Sequence, residues 1–415
     1  MDQRHHAGAD RRPAARGGVV SGAFREREPE GVVSPAERAA AELAATWSVG
    51  PDGVWAAPGR VNLIGEHVDY NGGRCLPMAL TRVTAAAVRR RNDDRVRLSS
   101  DAPEAAPFEG RLTELGPGAV DGWAAYVAGT LWALREAGVD VPGMDVAVAS
   151  DVPVGAGLSS SAALECAVAL AAAGLAGRTD DPQLRHQVVQ AAIRAENEVV
   201  GAGTGGMDQT VAMLAEEGAA LLIDTRDFST APVRLRLADA GLVLVVIDTR
   251  VTHTLADGQY AQRRRDCEQA ARELGLAQLG EATADDLERL TDPRLRARAR
   301  HVVGEIGRVD RVVELVAAGR MAEIGPLLDA SHASLRDDYE VSAVELDTVV
   351  AAATGAGALG ARMTGGGFGG SAIALVPEAV VADVERAVVD ACARRGLTTP
   401  ATLVVTSGGA ARRLS

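Results

Sequence analysis

Short apolar runs recur along this chain and are separated by polar or glycine-rich stretches. The runs at residues 221–223 and 242–247 are continuous and apolar, which is typical of buried strands. Residues 54–56, 81–88 and 146–149 predict further strands. The pattern therefore predicts several short strands that are spread over much of the chain.

Helix signals stand between the predicted strands. Ser34, Pro35 and Glu37 form a capping box with proline at the first helical position, and they predict a helix that continues to about Trp47. Other helices are expected at residues 121–137, over most of 258–325 with arginine-rich solvated faces, and at about 379–395.

Two stretches interrupt this pattern. Residues 1–33 are polar, charged and rich in Gly, Pro and Arg, so we expect a disordered tail. Residues 355–370 are rich in glycine and precede an expected strand at 371–376. A weakly marked boundary near residues 232–240 would then divide the ordered chain into an N-terminal domain, 34–235, and a C-terminal domain, 236–415.

Hydrophobic residues make up 47% of the 415 positions, whereas aromatic residues make up only 3%. This is enough for two modest domains, whose cores must consist mainly of Ala, Val and Leu. The longest apolar run, at residues 162–176, is too short to span a membrane and contains Glu165, so we expect no membrane partner. Four widely spaced cysteines without a CxxC motif indicate reduced thiols, no zinc site and a cytoplasmic location.

The net charge of −13 argues against binding to nucleic acid and provides no general attraction for an anionic nucleotide. Any phosphate site must therefore be built locally. The chain also has no lysine, since all 43 basic residues are arginine. P-loop NTPases, protein kinases and enzymes that form a Schiff base on lysine each need such a residue, so these classes are excluded.

The most informative stretch is the polar segment at residues 57–73. It combines Arg60, Glu66, His67 and Asp69 with two asparagines. Carboxylates and imidazole can hydrogen-bond to vicinal hydroxyls, so this composition suits a ligand that carries many hydroxyl groups. The alternative is a polar surface loop that closes a hairpin.

A second polar segment, at residues 151–163, joins a predicted strand to an alanine-rich helix. Its glycines let the backbone approach a ligand closely, and Ser159, Ser160 and Ser161 stand at the first turn of the helix. Unpaired amides and the helix dipole make such a turn an anion site, where serine hydroxyls can also bind magnesium. A glycine turn with a serine cap is the alternative, although one serine would suffice for it. A Rossmann fingerprint is excluded because Ser160 replaces its third glycine.

Three stretches together resemble the motifs of the galactokinases, which belong to the GHMP small-molecule kinases. They are the polar segment 57–73, the stretch Pro-x-Gly-x-Gly-Leu-Ser-Ser-Ser-Ala within 151–163, and the glycine-rich stretch 360–371. The resemblance extends from about Ser34 to the C-terminus, and Val68 stands where the family usually has threonine. It implies two α+β domains with the active site in the cleft between them.

The resemblance also implies an ATP site with Mg²⁺. Ser161 and Glu196 would be the magnesium ligands, and two oxygen donors suit an octahedral ion that keeps some waters. Taken alone, Glu196 reads better as a solvated helical glutamate. Trp123 and Tyr126 match family residues near the nucleotide base, but packing in a helix core explains them equally well. The phosphate loop would consist of Gly155, Ala156, Gly157, Leu158, Ser159, Ser160 and Ser161.

The same resemblance assigns catalysis to Asp208 and Arg60. Asp208 ends a glycine-rich turn and would accept the proton of the sugar's anomeric hydroxyl, while Arg60 would stabilise charge on the transferred phosphoryl group. An adjacent arginine makes an aspartate a weaker base, but a loose transition state needs little activation of the nucleophile. We therefore expect positioning and electrostatics to carry most of the rate. Capping of the next helix is the alternative role of Asp208.

Glu66, His67, Val68, Asp69 and Tyr260 would bind the sugar, with Tyr260 closing over the ring. Ordinary packing is an equally good account of Tyr260. A buried carboxylate left without its hydroxyl partner is costly, which is how such a site can reject an epimer. The third glycine-rich stretch is expected to support the phosphate loop and to take no part in the chemistry.

The implied reaction converts ATP and α-D-galactose to ADP and α-D-galactose 1-phosphate. Mevalonate-type kinases are set apart because they lack the Glu-His-x-Asp signature. Two alternatives are open: a kinase for N-acetylgalactosamine or another pyranose, and a catalytically silent sugar sensor. The sensor is the weaker one, since such relatives have lost residues of the serine loop that are present here. The oligomeric state is open, with a monomer slightly favoured.

Overall fold

The computed structural model describes residues 33–178, 181–252 and 256–415. The disordered tail expected at 1–33 therefore lies, except for Val33, outside the described residues. Helices and strands are mixed along the described chain, as an α+β fold requires. The domain boundary at 235/236 stays a prediction.

The helices of the described residues are, in chain order, α1 (Pro35–Trp47), α2 (Trp123–Glu136), α3 (Ser160–Leu175), α4 (Pro182–Arg194), α5 (Met207–Leu214), α6 (Ala256–Leu274), α7 (Pro293–Ala317), α8 (Gly325–Asp337), α9 (Val344–Gly355) and α10 (Val381–Arg394). A π-helical turn, Ala195–Val200, directly extends α4.

The strands are β1 (Gly53–Asn62), β2 (Arg74–Cys75), β3 (Pro77–Arg90), β4 (Arg95–Ser100), β5 (Phe108–Arg111), β6 (Met144–Ser150), β7 (Ala219–Asp224), β8 (Ser229–Arg234), β9 (Leu242–Thr252), β10 (Gly360–Thr364), β11 (Gly369–Pro377), β12 (Ala401–Val405) and β13 (Arg412–Arg413).

These strands form three sheets, with the orders β13-β1-β3-β6-β4-β5, β10-β11-β9-β12 and β2-β7-β8. All neighbouring strands are antiparallel except β4 and β6, which run parallel. The six-stranded sheet includes a pairing between distant parts of the chain, because Trp55 of β1 lies opposite Arg413 of β13. The central sheet of the C-terminal half places β9 between β11 and β12.

The inner strands β1 and β6 of the six-stranded sheet are buried on both faces. Side chains alternate between its faces, so that Val54 and Ala56 contact α1, whereas Trp55 and Ala57 belong to the core shared with α2, α3 and α4. Small alanine side chains in β3 and β6 allow helices to cover each face closely. The alanine-rich composition thus lets helices pack close to both faces of this sheet.

Several predicted elements are confirmed. The capping box at Ser34 is present, since its hydroxyl accepts from the Glu37 amide and the Glu37 carboxylate accepts from the Ser34 amide. The helix predicted at 121–137 is α2, and the strand predicted at 371–376 is β11. None of the described helices combines the length and the apolar character that a membrane span requires.

The glycine-rich stretch 355–370 contains one element that the sequence did not predict. Residues 360–364 form strand β10, which pairs with β11 along its whole length. All five residues of β10 are buried, including Arg362, which is fully buried. An arginine between two glycine-rich segments is typical of a loop, but here β10 pairs with β11 and Arg362 donates to the distant Asn62 carbonyl oxygen.

Candidate active site

Arg60 and Asp208 form a bidentate ion pair beside the phosphate loop. Arg60 Nε lies 2.9 Å from Asp208 Oδ1, and Arg60 Nη2 lies 3.0 Å from Oδ2. Arg60 Nη1 donates to the carbonyl oxygen of Gly157 at 2.5 Å, so the guanidinium is held on both sides. The Arg60 side chain is 6% exposed and that of Asp208 is 23% exposed, so part of the carboxylate is accessible.

The backbone explains this geometry. The register of β1 shifts between Pro58 and Arg60, and the Arg60 amide donates to Leu158 of the phosphate loop. Helix α5 begins at Met207, one residue before Asp208, after Gly206 with φ +92°. Since α5 has no side-chain cap, the alternative role of Asp208 as a helix cap is not observed.

Ser159 connects the phosphate loop to Asp208 directly. Its backbone is left-handed, with φ +60°, and its hydroxyl donates to Asp208 Oδ2 at 2.5 Å. Although Ser159 stands at the N-cap position of α3, its side chain does not cap the helix. The simple alternative of a serine-capped glycine turn therefore does not describe this loop.

Ser161 and Glu196 also lie together. Ser161 Oγ donates to Glu196 Oε1 at 2.9 Å, and Gln209 Nε2 donates to Glu196 Oε2 at 2.5 Å. Glu196 belongs to the π-helical turn after α4, a rare conformation that occurs frequently at functional sites. It is 8% exposed, so the alternative of a solvated helical glutamate is wrong. Burial, with help from Asp208, raises the pKa of Glu196 to about 7.

The oxygen donors of this pair fit a magnesium ion. Mg²⁺ is usually held by one or two protein oxygens together with phosphate oxygens and waters. In the described part of the chain, no three His, Cys, Asp or Glu side chains are grouped as a metal cage. Ser161 Oγ and the Glu196 carboxylate supply the expected donor chemistry without further protein ligands.

The third glycine-rich stretch packs against the phosphate loop, as predicted. Ser371 Oγ donates to the Ala156 carbonyl at 2.7 Å. A Cβ atom added to Gly365 would lie only 2.9 Å from the Gly157 carbonyl oxygen, so a side chain there would displace the loop. Gly365 has φ +85°, which also favours glycine.

The buried Glu66 carboxylate is surrounded by hydrogen-bond donors. Its carboxylate accepts from the Asn62 amide group and from the Gly365 amide, and Arg362 Nη2 lies 3.6 Å from Oε2. Burial raises the pKa of Glu66, while Arg362 and Arg60 oppose that rise. The fully buried Arg362 was not singled out from the sequence, yet it is the closest guanidinium to this carboxylate among the described residues.

Two side chains of helix α7 form hydrogen bonds with the backbone of the polar segment 57–73. Glu305 Oε1 accepts from the Gly65 amide at 2.9 Å and from Ser331 Oγ at 2.7 Å. His301 Nε2 lies 3.0 Å from the Glu66 carbonyl oxygen. Both α7 side chains are fully buried, although the sequence suggested solvated faces in this region. Nothing in the local sequence distinguishes them from the exposed charged residues of the same helix.

Asp69 faces Asp208 and Glu66 in the cavity. Burial and these two carboxylates raise the pKa of Asp69 to about 7. The turn before α5 must be glycine here, because a Cβ atom on Gly205 would lie 2.4 Å from Asp69 Oδ2. The turn before α5, residues 201–206, and the polar segment 57–73 are therefore in direct contact.

A cavity of about 150 Å³ brings these groups together. Its lining includes residues from both sides of the predicted boundary at 235/236, as expected for a site in an interdomain cleft. Val68 differs from the other predicted sugar residues, because it is fully buried, belongs to the hydrophobic core and does not line the cavity. Trp123 and Tyr126 do not line it either. The lining residues are Arg60, Glu66, His67, Asp69, Glu196, Gly203, Thr204, Met207, Asp208, Tyr260, Gly365 and Gly366.

Comparison with protein families agrees with this geometry. Residues 45–90 match the galactokinase galactose-binding signature, residues 125–216 the GHMP kinase N-terminal domain and residues 312–394 the GHMP kinase C-terminal domain. A galactokinase of Streptomyces coelicolor is 50% identical over 88% of this chain and 95% of its own length. A galactokinase of Mycobacterium tuberculosis is 43% identical over 83% of this chain and 93% of its own length.

Solved structures give the same result. The galactokinase of Lactococcus lactis, determined in complex with galactose, superimposes with a TM-score of 0.84 at 33% identity, covering 90% of this chain and 98% of that chain. The mevalonate kinase of Methanococcus jannaschii has a TM-score of 0.62 at 15% identity, covering 86% of this chain and 98% of that chain, a likeness of fold alone.

The fold and the matching N- and C-terminal domains make this protein a GHMP kinase with two α+β domains. The galactose-binding signature and the identity to its relatives narrow the class further. The chain belongs to the galactokinase family, and it is a sugar kinase that transfers a phosphoryl group.

Proposed function

We propose that the protein transfers the γ-phosphoryl group of ATP to the anomeric hydroxyl of α-D-galactose, giving α-D-galactose 1-phosphate and ADP. The observation that carries this proposal is the position of Asp208. Its carboxylate is bonded to Arg60 and to Ser159 of the phosphate loop, and it lines the same cavity as Glu66, His67 and Asp69. A sugar hydroxyl in that cavity would therefore lie between the acceptor Asp208 and the phosphate site.

Asp208 orients the attacking hydroxyl and takes its proton late in the step. Because both carboxylate oxygens already accept from Arg60, strong activation of the nucleophile is not expected. Arg60 instead offers positive charge where the transferred phosphoryl group becomes more negative. Preorganised charge of this kind, together with positioning, supplies most of the rate enhancement in phosphoryl transfer.

The nucleotide phosphates bind at the loop 155–161 and the N-terminal end of α3. Gly157 has φ +72°, and its carbonyl is held by Arg60, so the loop is set before the nucleotide arrives. Ser161 and Glu196 would hold Mg²⁺, which neutralises phosphate charge when bound. Binding of the ion requires ionised Glu196, and the Ser161 hydroxyl would turn from the carboxylate to the metal.

Glu66, His67, Asp69 and Tyr260 bind the galactose hydroxyls and ring in this proposal. Val68 contributes no cavity surface, so its part is limited to packing behind the loop. A kinase specific for N-acetylgalactosamine would need additional room at the second carbon of the sugar. The galactose complex of the Lactococcus lactis relative favours galactose.

The test is magnesium-dependent ADP release with galactose, glucose, N-acetylgalactosamine, arabinose and mevalonate measured side by side. We expect galactose to be turned over most efficiently, and NMR of the product to show phosphate on the anomeric oxygen. Preference for another sugar would overturn the substrate, and binding of galactose and ATP without ADP release would favour the sensor.

The cytoplasmic location and the monomeric state also stay proposals. All four cysteines are buried free thiols, which a reducing compartment would preserve. Light scattering during gel filtration would give a mass near 43 kDa for a monomer, since the chain mass is 42.8 kDa.

A further inference from the structure

Aromatic residues are scarce in this protein, yet three of its four tyrosines surround one histidine. The ring centroids of Tyr70, Tyr260 and Tyr339 lie 6.0, 5.4 and 4.9 Å from that of His67. This concentration of aromatic rings lies beside a residue that lines the cavity. Two of these tyrosines take part in a continuous series of hydrogen bonds.

The series begins at the glycine-rich stretch and ends at a thiol. His67 Nε2 lies 3.2 Å from the carbonyl oxygen of Gly366, and His67 Nδ1 lies 2.8 Å from the Tyr70 hydroxyl. The Tyr70 hydroxyl lies 2.9 Å from that of Tyr339, which in turn lies 3.0 Å from Cys267 Sγ. Four consecutive contacts therefore connect Gly366 to Cys267.

The carbonyl end of the series fixes the direction of every hydrogen in it. A carbonyl oxygen only accepts, so the hydrogen between His67 and Gly366 belongs to Nε2. A neutral imidazole has a single N–H, so Nδ1 must accept and Tyr70 must donate to it. Having used its one hydrogen, the Tyr70 oxygen accepts from Tyr339, and Tyr339 accepts from the Cys267 thiol.

Burial keeps this arrangement free of competing protonation states. Tyr339 is fully buried, Cys267 is 1% exposed and His67 is 5% exposed. Burial lowers the pKa of His67 to about 3, with His301 as a further contribution, so the imidazole stays neutral. Burial raises the pKa of Cys267 to about 12, so the thiol keeps the hydrogen that it donates.

We infer that Tyr70, Tyr339 and Cys267 are positioning residues that hold His67 as its Nε2–H tautomer and so make it a hydrogen-bond donor toward the sugar. The inference rests on the proposed function, since it takes the cavity ligand to be a sugar. At 3.2 Å the bond to Gly366 is the longest of the four, and Gly366 itself lines the cavity. A sugar hydroxyl can therefore share or take this donor, whereas the opposite tautomer would direct a lone pair at the Gly366 carbonyl.

The experiment removes the links one at a time. Tyr70→Phe deletes the donor to Nδ1, Tyr339→Phe deletes the next link, and Cys267→Ala deletes the last. Cys392→Ala is the matched control, because Cys392 is also a buried thiol but lies on α10. Each variant is assayed for the KM of galactose, the KM of ATP and kcat, and its thermal unfolding is recorded.

We expect the KM of galactose to rise about tenfold in Tyr70→Phe, the loss typical of one buried hydrogen bond, and less in Tyr339→Phe and Cys267→Ala. The KM of ATP and the behaviour of Cys392→Ala should stay unchanged. A purely structural role would lower thermal stability without this order and without sparing ATP. Equal galactose KM values in Tyr70→Phe and the unaltered protein would overturn the inference.

A second readout does not depend on turnover. Nitrogen-15 NMR of histidine-labelled protein, with His67→Gln to assign the signal, reports which ring nitrogen carries the hydrogen. We expect Nε2–H in the unaltered protein and a mixture of tautomers in Tyr70→Phe. An Nδ1–H or doubly protonated ring would refute the inference even if galactose is phosphorylated. Conversely, absence of galactose turnover with the expected tautomer would refute only the proposed substrate.

Discussion

The proposed sugar side and the proposed phosphate side of this active site are built differently. On the sugar side, Glu66 is only 2% exposed and His67 only 5%, and each is held by hydrogen bonds from other parts of the protein. On the phosphate side, the loop offers backbone amides and small side chains, and Val154 stands 87% exposed. The site therefore relies on buried side-chain networks around the proposed sugar position, whereas around the proposed phosphate position the backbone of the loop is joined by Ser161 and the buried Glu196.

The difference follows from what each ligand offers. A sugar carries neutral hydroxyls whose positions distinguish it from its epimers, so its site needs donors and acceptors with fixed directions. A nucleotide carries concentrated negative charge, which the amides at the start of a helix can bind without directional side chains. Asp208 and Arg60 lie between the two sides. They line the cavity together with Glu66, and Asp208 also accepts a hydrogen bond from Ser159 of the phosphate loop.

The largest effect is expected where the two sides meet. Asp208→Asn should lower kcat by roughly 10²–10⁴-fold, the usual contribution of a proton-accepting group. Galactose and ATP should still bind in calorimetry, because neither side is dismantled. Asp239→Asn on an exposed turn is the control. A kcat close to that of the unaltered protein would remove Asp208 from the mechanism.

The next effect should be confined to the phosphate side. Glu196→Gln is expected to raise the magnesium concentration needed for half-maximal activity by at least about 10–100-fold, since even the outer-shell partners of metal ligands contribute that much to metal affinity. The KM of galactose should not change. Glu198→Gln provides a matched control two residues away, since Glu198 is exposed and pairs with Arg194. Identical magnesium titrations for the two variants would contradict the assignment.

A third change should affect the sugar side alone. Glu305→Gln weakens the grip of α7 on the Gly65 amide, and we expect it to cost about 1–3 kcal/mol of unfolding free energy. Since the polar segment 57–73 loses strength in this hydrogen bond, the KM of galactose should rise while the KM of ATP stays constant. Glu314→Gln, on an exposed position of the same helix, should have neither effect. Urea denaturation and steady-state kinetics would measure both quantities.

The smallest effect concerns pH and stability. Asp69 has a pKa of about 7 in the folded protein against an ordinary value of 3.8, so the folded state binds more protons between about pH 4 and pH 7. Its contribution to stability is therefore present at low pH and lost as pH rises through this window. Asp69→Asn should raise the Tm by about a few degrees at pH 8 and by less at pH 5.

Thermal unfolding at both pH values measures this effect, and galactose binding should weaken in the same variant. Such a result would mean that the sugar side keeps a costly ionised group for its function. A Tm gain over the unaltered protein that is equal at the two pH values would show that ionised Asp69 is not destabilised by its neighbours.

Much of the site could be predicted from the sequence because its residues stand in continuous segments. Arg60, Glu66 and Asp69 lie within ten positions of one another, and Ser159 and Ser161 share one turn. Glycines at these places reveal a backbone that must approach a ligand, and the galactokinase resemblance supplied the roles. The bounds of α1 and α2 followed from a capping box and from apolar spacing.

The supporting residues could not be predicted in the same way. Glu305 and His301 are separated from the polar segment 57–73 by over two hundred residues, and on α7 they look like any other charged positions. In the sequence, Arg362 stands in a glycine-rich stretch that is typical of a loop, and only the structure shows that it pairs with β11. The direction of the Ser159 side chain depends on its left-handed backbone, which its sequence neighbours did not reveal.

The pairing of β1 with β13 has a consequence for the order in which this protein can fold. Trp55 and Arg413 are opposite each other in one sheet, so that edge cannot form until residue 413 has been synthesised. Until then, the edge of the sheet formed by β1 is unpaired. Contacts between positions so distant in the chain also slow folding. During synthesis, the first strand would thus lack one neighbour until residue 413 is available, a stage at which chaperones have most to protect.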